Sequence, residues 1–483
     1  MFLNFFCIFG EKIKLGRKRK KNRFFENVKV EDIGSEGKAI ARVEGQVLFL
    51  TKALPGDIID VKVTKSKKSY MEGIPVRFHE YSNMRIEPFC SHFELCGGCK
   101  WQNLPYNQQL AYKRKQIVDN LERIGKVSPE KVRQILPSKH TLFYRNKMEY
   151  TFSAFRWLTK QEIETSDNLE ARGLGLHIPG RWDKVVDIQK CHLQKDPSNA
   201  IRNAIRNYAL EKDLSFFNLR IQEGFLRNLI IRTSSTNELM VIVIFYYDNE
   251  EKRNDLLNFI KEKFPEITSL IYMLNPKAND SVYDLEPVLF KGREFIYEKM
   301  EDLWFKIGPK SFYQTNSEQA CELYKIVRQY ANLNGTETVY DLYTGTGTIA
   351  NFLAKTASKV IGVESVPEAI EDAKENASIN YLNNTCFFAG DMKDVLTQSF
   401  FNSYGEPDVI VTDPPRAGMH KKVVENIMES EPSRIVYVSC NPATQARDIE
   451  ILKQKYTVKE IQPVDMFPHT YHVENVAYLV FSQ

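Results

Sequence analysis

The chain has 483 residues, 43% of them hydrophobic and 27% charged, enough for two or three domains with substantial cores. A formal net charge of only +4 excludes a protein that engages its partners through bulk charge alone. No apolar run is long enough to span a bilayer, and the apolar start, Met1 to Gly10, precedes its positive charge, the reverse of a secretory leader. A cytoplasmic protein is expected, with no membrane and no protein partner implied, in which clustered cysteines point to metal or catalysis and not to disulfides.

Between Lys12 and Arg23 stand eight basic residues and no acidic one. Residues 1–23 therefore predict a flexible N-terminus, either a solvated tail or an arm that contacts RNA. Residues 24–75 alternate short β-like runs with Gly and Pro turns, which predicts a small β-barrel of oligonucleotide-binding or purely structural use. Next, Cys90, Cys96 and Cys99 fall within ten residues, with Gly97 and Gly98 letting the loop wrap tightly. This is a metal-binding pattern that needs a fourth ligand. Cys191, in Asp187-Ile-Gln-Lys-Cys191-His192, is the candidate, because Cys7, Cys321 and Cys386 stand in contexts without clustering. Four thiolates suit zinc or an iron–sulfur cluster; the C-x5-C-x2-C spacing matches neither the paired zinc ribbon nor the radical-enzyme motif, and favours the cluster over zinc.

Residues 103–125 read as a helix, and 76–307 as a mixed α+β domain. Tyr144-Arg145-Asn146-Lys147 and Arg227-Asn228 lie beside β-rich runs there, as groups that could stack and pair with RNA or as the solvated face of a sheet. Residues 308–483 change character. Gly308-Pro-Lys-Ser311-Phe-Tyr-Gln314 leads into a helix from about Ser317, with Gln314 placed to meet a ligand. The strands expected at 338, 359, 385, 408 and 434 then alternate with helices as in a doubly wound sheet, and Tyr456 to Pro463 with Asn475 to Phe481 predicts an antiparallel closing pair.

The polar groups of this half gather where those strands end. Val339 to Leu342 turns on Gly345 and Gly347, which can bring backbone N–H groups close to a ligand at a helix N-terminus. Glu364, at the end of the next strand and nineteen residues after Gly345, suits two ribose hydroxyls. Asp413, in Thr412-Asp-Pro-Pro-Arg416, sits on a proline-stiffened loop, and S-adenosylmethionine is the best candidate ligand for such a crevice. Arg434 to Ser439 delivers Cys440 to the same edge, where Asn441-Pro442 ends the strand and leaves the thiol in a turn. Glu474 stands at the start of the last strand, a candidate base if it meets Cys440 across the hairpin end.

Taken together, Cys96-Gly-Gly-Cys99-Lys-Trp-Gln, Ser311-Phe-Tyr-Gln314, Asp341-Leu-Tyr-Thr-Gly-Thr-Gly, Asp413-Pro-Pro-Arg-Ala-Gly, Val438-Ser-Cys440-Asn-Pro and His472-Val-Glu474-Asn-Val resemble the RNA uracil-C5 methyltransferase family from about residue 24 to the C-terminus. The resemblance implies a TRAM-type barrel, a central RNA-binding domain carrying a [4Fe-4S] cluster on Cys90, Cys96, Cys99 and Cys191, and a Rossmann-like α/β domain that binds S-adenosylmethionine. It further implies Gln314, Tyr343, Glu364 and Asp413 as donor contacts, Cys440 as nucleophile and Glu474 as base. Because members with both barrel and cluster typically act on ribosomal RNA, 23S rRNA is the expected substrate, with transfer RNA the alternative. Thr344 departs from the family, where Cys is common, and Thr348 stands where some members have Asn. An amino-directed methyltransferase is a rival reading of Asp-Pro-Pro. It is disfavoured because Arg416 occupies the position of the usual stacking aromatic, and because that chemistry needs no cysteine. A non-catalytic RNA assembly factor is disfavoured by the intact Glu364, Asp413 and Cys440.

Overall fold

The computed structural model describes residues 23–165 and 169–482; apart from Arg23, the basic segment expected over 1–23 lies outside them. The chain forms two compact units, residues 23–34 with 38–84, and residues 35–37 with 85–482. In the first, six strands form one sheet in the order Phe24–Lys29, Ile58–Ser66, Tyr70–Glu80, Gln46–Leu50, Ala39–Val43, Asp32–Ile33. Val28, Ala39, Leu48, Val61 and Met71 share a single core, so strands near opposite ends of the sheet curl over the same interior. The strand Tyr70–Glu80 runs past residue 75, where the sequence suggested the barrel would end.

Two sheets organise the second unit. One has seven strands in the order Val288–Gly292, Ser269–Leu274, Leu239–Phe245, Leu226–Thr233, Lys147–Ser153, Gly173–Ile178, Arg181–Asp187, antiparallel except between Leu239–Phe245 and Ser269–Leu274. Leu239–Phe245 is buried at every residue, which explains why it reads as a continuous apolar run and not as an alternating one. The other sheet has the order Thr385–Ala389, Lys359–Glu364, Thr338–Leu342, Val409–Thr412, Arg434–Ser439, Glu474–Phe481, Tyr456–Val464. Its first five strands are parallel, and the last two form an antiparallel pair. The order reverses at Thr338–Leu342, which opens a crevice beyond the carboxyl ends of the neighbouring strands. Apolar clusters cover both faces of this sheet, and one of them takes in Ile230, Met240 and Ile271 of the other sheet together with Val339, Val411 and Val438. Among the described residues no helix is long and apolar enough to cross a membrane.

Candidate active site

Parallel strands bring Leu342, Glu364, Thr412 and Ser439 to one edge of the sheet, and the antiparallel last strand starts at that same edge with Glu474. Ser439 is paired with Asn475. One residue beyond that pair on each strand stand Cys440 and Glu474, near enough that the Glu474 charge acts on the thiol. The turn that holds Cys440 is built locally. Asn441 caps the helix Pro442–Leu452 by accepting from the Ala443 N–H at 3.1 Å, and Pro442 takes the first helical position, where its missing N–H costs nothing. Gln445, fully buried on that helix, donates to the carbonyls of Tyr437 (2.8 Å) and Asn475 (3.3 Å), and accepts from the Asn475 amide at 2.5 Å. It thus fastens together the two strand ends that carry Cys440 and Glu474.

The electrostatics of this corner are those of buried acids. Burial pushes the Cys440 thiol up to about 11, with Glu474 and Asp413 adding to the shift and Arg416 opposing it. At rest it is a neutral thiol. Glu474 is buried, and loss of solvent, followed by the charge of Asp413, raises its carboxyl well above the usual range, while Arg416 again opposes. Asp413 retains some exposure, yet desolvation carries it to about 6. Asp341 is fully buried and rises to about 7 through desolvation, against a 2.5 Å hydrogen bond donated by the Thr344 hydroxyl. That bond is the local role of the threonine that departs from the family pattern.

Across the glycine turn, the Gly345 N–H donates to the Glu364 carboxylate at 3.2 Å, and the other carboxylate oxygen accepts from the backbone N–H groups of Ser365 (2.7 Å) and Val366 (3.1 Å). The two glycines serve different ends. A side chain on Gly347, at φ 76°, would meet Ala373 at 2.9 Å, whereas one on Gly345 would meet nothing within 4 Å. Open space beside an anchored carboxylate, next to three crowded acids, fits a nucleoside that carries a cationic centre. Tyr343 adopts a left-handed backbone at φ 62°, and burial lifts its hydroxyl to about 12. Gln314 is half-buried, and its carbonyl accepts from the Asn146 amide at 2.9 Å.

Asn146 was not anticipated as part of this site, nor was Arg232, whose guanidinium donates to the Ser311 carbonyl at 2.7 Å. Arg232 lies in a strand of the other sheet and Asn146 immediately precedes one, and both hold the segment that bears Gln314. In sequence Arg145 and Asn146 stand out as groups for RNA or as the solvated face of a sheet, and not as parts of this site. Arg416 counts in sequence only against a rival chemistry, although it is the cation nearest in effect to both Cys440 and Glu474.

Away from this edge, Cys90, Cys96, Cys99 and Cys191 line one cavity together with His92, Gln102 and His192. Residues ninety or more positions apart in sequence are thus gathered around a common space. Burial pushes the Cys96 thiol up to about 11 and that of Cys99 to about 12, with the neighbouring cysteines adding to both. Thiols that disfavour one another's ionisation in a shared cavity are the donor set that a cationic inorganic core would reverse. Among the described residues no group of three or more His, Cys, Asp or Glu side chains is drawn together as a metal-ion site.

Comparison with known proteins agrees with this architecture. The family profile described as tRNA (Uracil-5-)-methyltransferase matches residues 277–481, and the TRAM domain profile matches residues 20–76. An uncharacterized RNA methyltransferase of Bacteroides thetaiotaomicron is 60% identical, covering 92% of this chain and 99% of its own. One of Porphyromonas gingivalis is 53% identical, covering 94% and 99%. Among solved structures, the Pyrococcus abyssi tRNA (uracil-54, C5)-methyltransferase in complex with S-adenosyl-L-homocysteine is similar at a TM-score of 0.73 and 30% identity, covering 94% of this chain and 100% of that one. Sequence and fold agree over almost the whole length, and the chain belongs to the RNA uracil-5 methyltransferase family.

Proposed function

We propose that this protein transfers the methyl group of S-adenosylmethionine to C5 of a uridine in RNA, with Cys440 as nucleophile and Glu474 as base. The observation that carries the reading is the placement of Cys440 and Glu474 at the same end of the ladder, each one residue beyond the Ser439–Asn475 pair, with the charges of Glu474 and Asp413 both acting on the thiol. Gln314, Tyr343, Glu364 and Asp413 are the residues assigned to hold the donor, which supplies an electrophilic methyl group when bound.

Uracil C5 is too weak a nucleophile to take a methyl group unaided. As the sulfur of Cys440 bonds to C6, its S–H bond breaks with the proton passing to solvent, which the half-buried thiol still meets, and the C5–C6 electron pair shifts toward O4 to give an enolate. The thiol's resting neutrality means that ionisation must accompany substrate binding, with Arg416 as the group that favours it. After C5 has gained its methyl group it still carries hydrogen. Glu474 takes that proton, the C5–C6 double bond re-forms, the S–C6 bond breaks, and Cys440 leaves as thiolate. For this Glu474 must be ionised; the positive charge of the donor would favour loss of its proton before methyl transfer, and once the sulfonium has become a neutral thioether the buried carboxylate is the stronger base. The base must also leave its stack to reach both groups.

Cys90, Cys96, Cys99 and Cys191 are assigned to a [4Fe-4S] cluster, which would bind through four thiolate–iron bonds and cross-link two distant stretches of chain. The parts are assigned as a barrel near 24–75 and a central domain to 307, both engaging RNA, and a methyl-transferring domain over 308–483. Ribosomal RNA, specifically 23S, is the substrate assigned from the pairing of barrel and cysteine motif. Transfer RNA is the second reading, favoured by the likeness to the Pyrococcus abyssi tRNA (uracil-54, C5)-methyltransferase, which extends over 94% of this chain. Mass mapping of 5-methyluridine in RNA from cells lacking the gene tests both. Loss at a ribosomal site with the transfer-RNA position intact is expected, the reverse moves the substrate to transfer RNA, and no loss in either overturns the function.

A further inference from the structure

Glu474 opens the last strand, and the connection that delivers it, residues 465–473, is gripped by the cysteine-bearing segment. Immediately after Cys99, the backbone N–H groups of Lys100 and Trp101 both donate to the His469 carbonyl, at 2.8 and 3.1 Å. Gln109, buried on the helix Tyr106–Arg123, accepts from the His469 N–H through Oε1 at 2.9 Å. Its Nε2 donates to the carbonyls of Trp101 and Leu104, each at 2.9 Å. One turn along the same helix, the wholly buried Lys113 donates to Asp465 Oδ1 at 2.5 Å and to the Phe467 carbonyl at 3.0 Å, and Asp465 also accepts from the Tyr106 hydroxyl at 2.8 Å. From the other side, Phe89, next to Cys90, sets its ring 5.0 Å from that of His469 and 5.3 Å from that of His192, the neighbour of Cys191. The Tyr144 hydroxyl donates to the Pro468 carbonyl at 3.1 Å.

The stretch from Phe89 to Trp101 therefore contacts His469 directly, and the stretch bearing Cys191 reaches it through Phe89, in the connection that ends at Glu474. Glu474 pairs with Val464 as the last pair of its ladder, and Met466 is held by the Asn316 amide at 2.9 Å. With the connection held at Met466 on one side, a displacement at His469 is passed along the five residues to Glu474 at the end of the ladder, because packed interiors shift between discrete arrangements and do not stretch. We propose that the cysteine-lined cavity sets the position of Glu474 through His469, with Gln109 and Phe89 as positioning residues. The inference rests on the assignment of Glu474 as the base. It makes the cysteine site a determinant of one chemical step, the removal of the C5 proton, in addition to any part in holding RNA.

The test uses full-length wild type, Gln109→Met, Phe89→Leu and Glu474→Gln side by side, with substrate RNA and a donor carrying a labelled methyl group. Phe89 is partly exposed, so its replacement spares the fold even if that of buried Gln109 does not. Both positioning variants are expected to bind S-adenosylhomocysteine as wild type does. They should lose about tenfold or more in multiple turnover, the scale of one buried hydrogen bond or packing contact, and accumulate a methyl-labelled protein–RNA adduct on denaturing gels, the outcome also expected of Glu474→Gln. If Glu474→Gln stalls as the adduct but the positioning variants turn over normally, or lose methyl incorporation without an adduct, the coupling is overturned alone. If Glu474→Gln itself forms no adduct, the base assignment falls and the coupling with it. Loss of S-adenosylhomocysteine binding in both positioning variants would also overturn the coupling, since the defect would then be general.

Discussion

Asp341 and Asp413 carry much of the site's electrostatic character, at about 7 and about 6. Both hold their proton more tightly folded than unfolded, so their contribution to stability is present below the ordinary aspartate value of 3.8 and is lost as pH rises through 6 to 7. A cationic donor reverses the balance by favouring the ionised forms. S-adenosylmethionine should therefore bind more tightly as pH rises from about 5.5 to 7.5, with proton release, while neutral-sulfur S-adenosylhomocysteine should change much less. Calorimetry in buffers of different ionisation heat reads both. Asp413→Asn should melt at a higher temperature than wild type at pH 8 without donor, yet lose about tenfold or more in donor affinity, the scale of a charged hydrogen bond. Equal pH dependence for the two ligands would remove the carboxylates from this role.

At the scale of elements, the parallel sheet was legible because its buried strands are short apolar runs that end on glycine, proline or acid. The helices at Tyr106–Arg123 and Ser317–Ala331 fall within the spans expected from periodicity. Cys440 and Glu474 were legible as a pair because each stands at a strand end on the same edge. What joins the elements was not legible. Lys113 and Asp465 are 352 residues apart, and a buried lysine on a helix looks in sequence like any solvated one. Asn146 and Arg232 gave no sign that they would hold the Gln314 segment, because one precedes and the other lies within a strand of the other sheet, 168 and 79 residues from their partners in sequence. The cap at Asn441 is a local signal with a measurable worth. Asn441→Ala removes the bond to the Ala443 N–H and the one donated to the Arg416 carbonyl, and should cost about 1 kcal/mol in denaturant unfolding. Because the same turn holds Cys440, it should also slow adduct formation. Unchanged adduct kinetics would show that the thiol is positioned from elsewhere.

For the whole molecule, the sequence suggested a boundary near 307, but residues 85–482 form one compact unit in which the two sheets share a core. Apolar periodicity identifies which residues are buried and says nothing of which sheets they are buried between. The cysteine motif was legible as three clustered thiols, and Cys191 by the poverty of the alternatives; the cavity unites all four. Protein isolated without oxygen should be brown, with broad absorbance toward the blue and about four irons per chain. Cys96→Ser or Cys191→Ser should bleach it and weaken RNA binding while leaving S-adenosylhomocysteine affinity intact. A colourless protein with one zinc per chain would replace the cluster assignment.

Covalent capture on RNA carrying 5-fluorouridine at the target position tests the central claim most directly, because fluorine at C5 cannot be removed as a proton and arrests the reaction after methyl transfer. Wild type should yield a gel-stable protein–RNA adduct that contains the labelled methyl group, and peptide mapping should place the linkage on Cys440. Cys440→Ala should yield none while binding S-adenosylhomocysteine normally. An adduct of undiminished yield in Cys440→Ala, or normal turnover of that variant on ordinary uridine, would contradict the account.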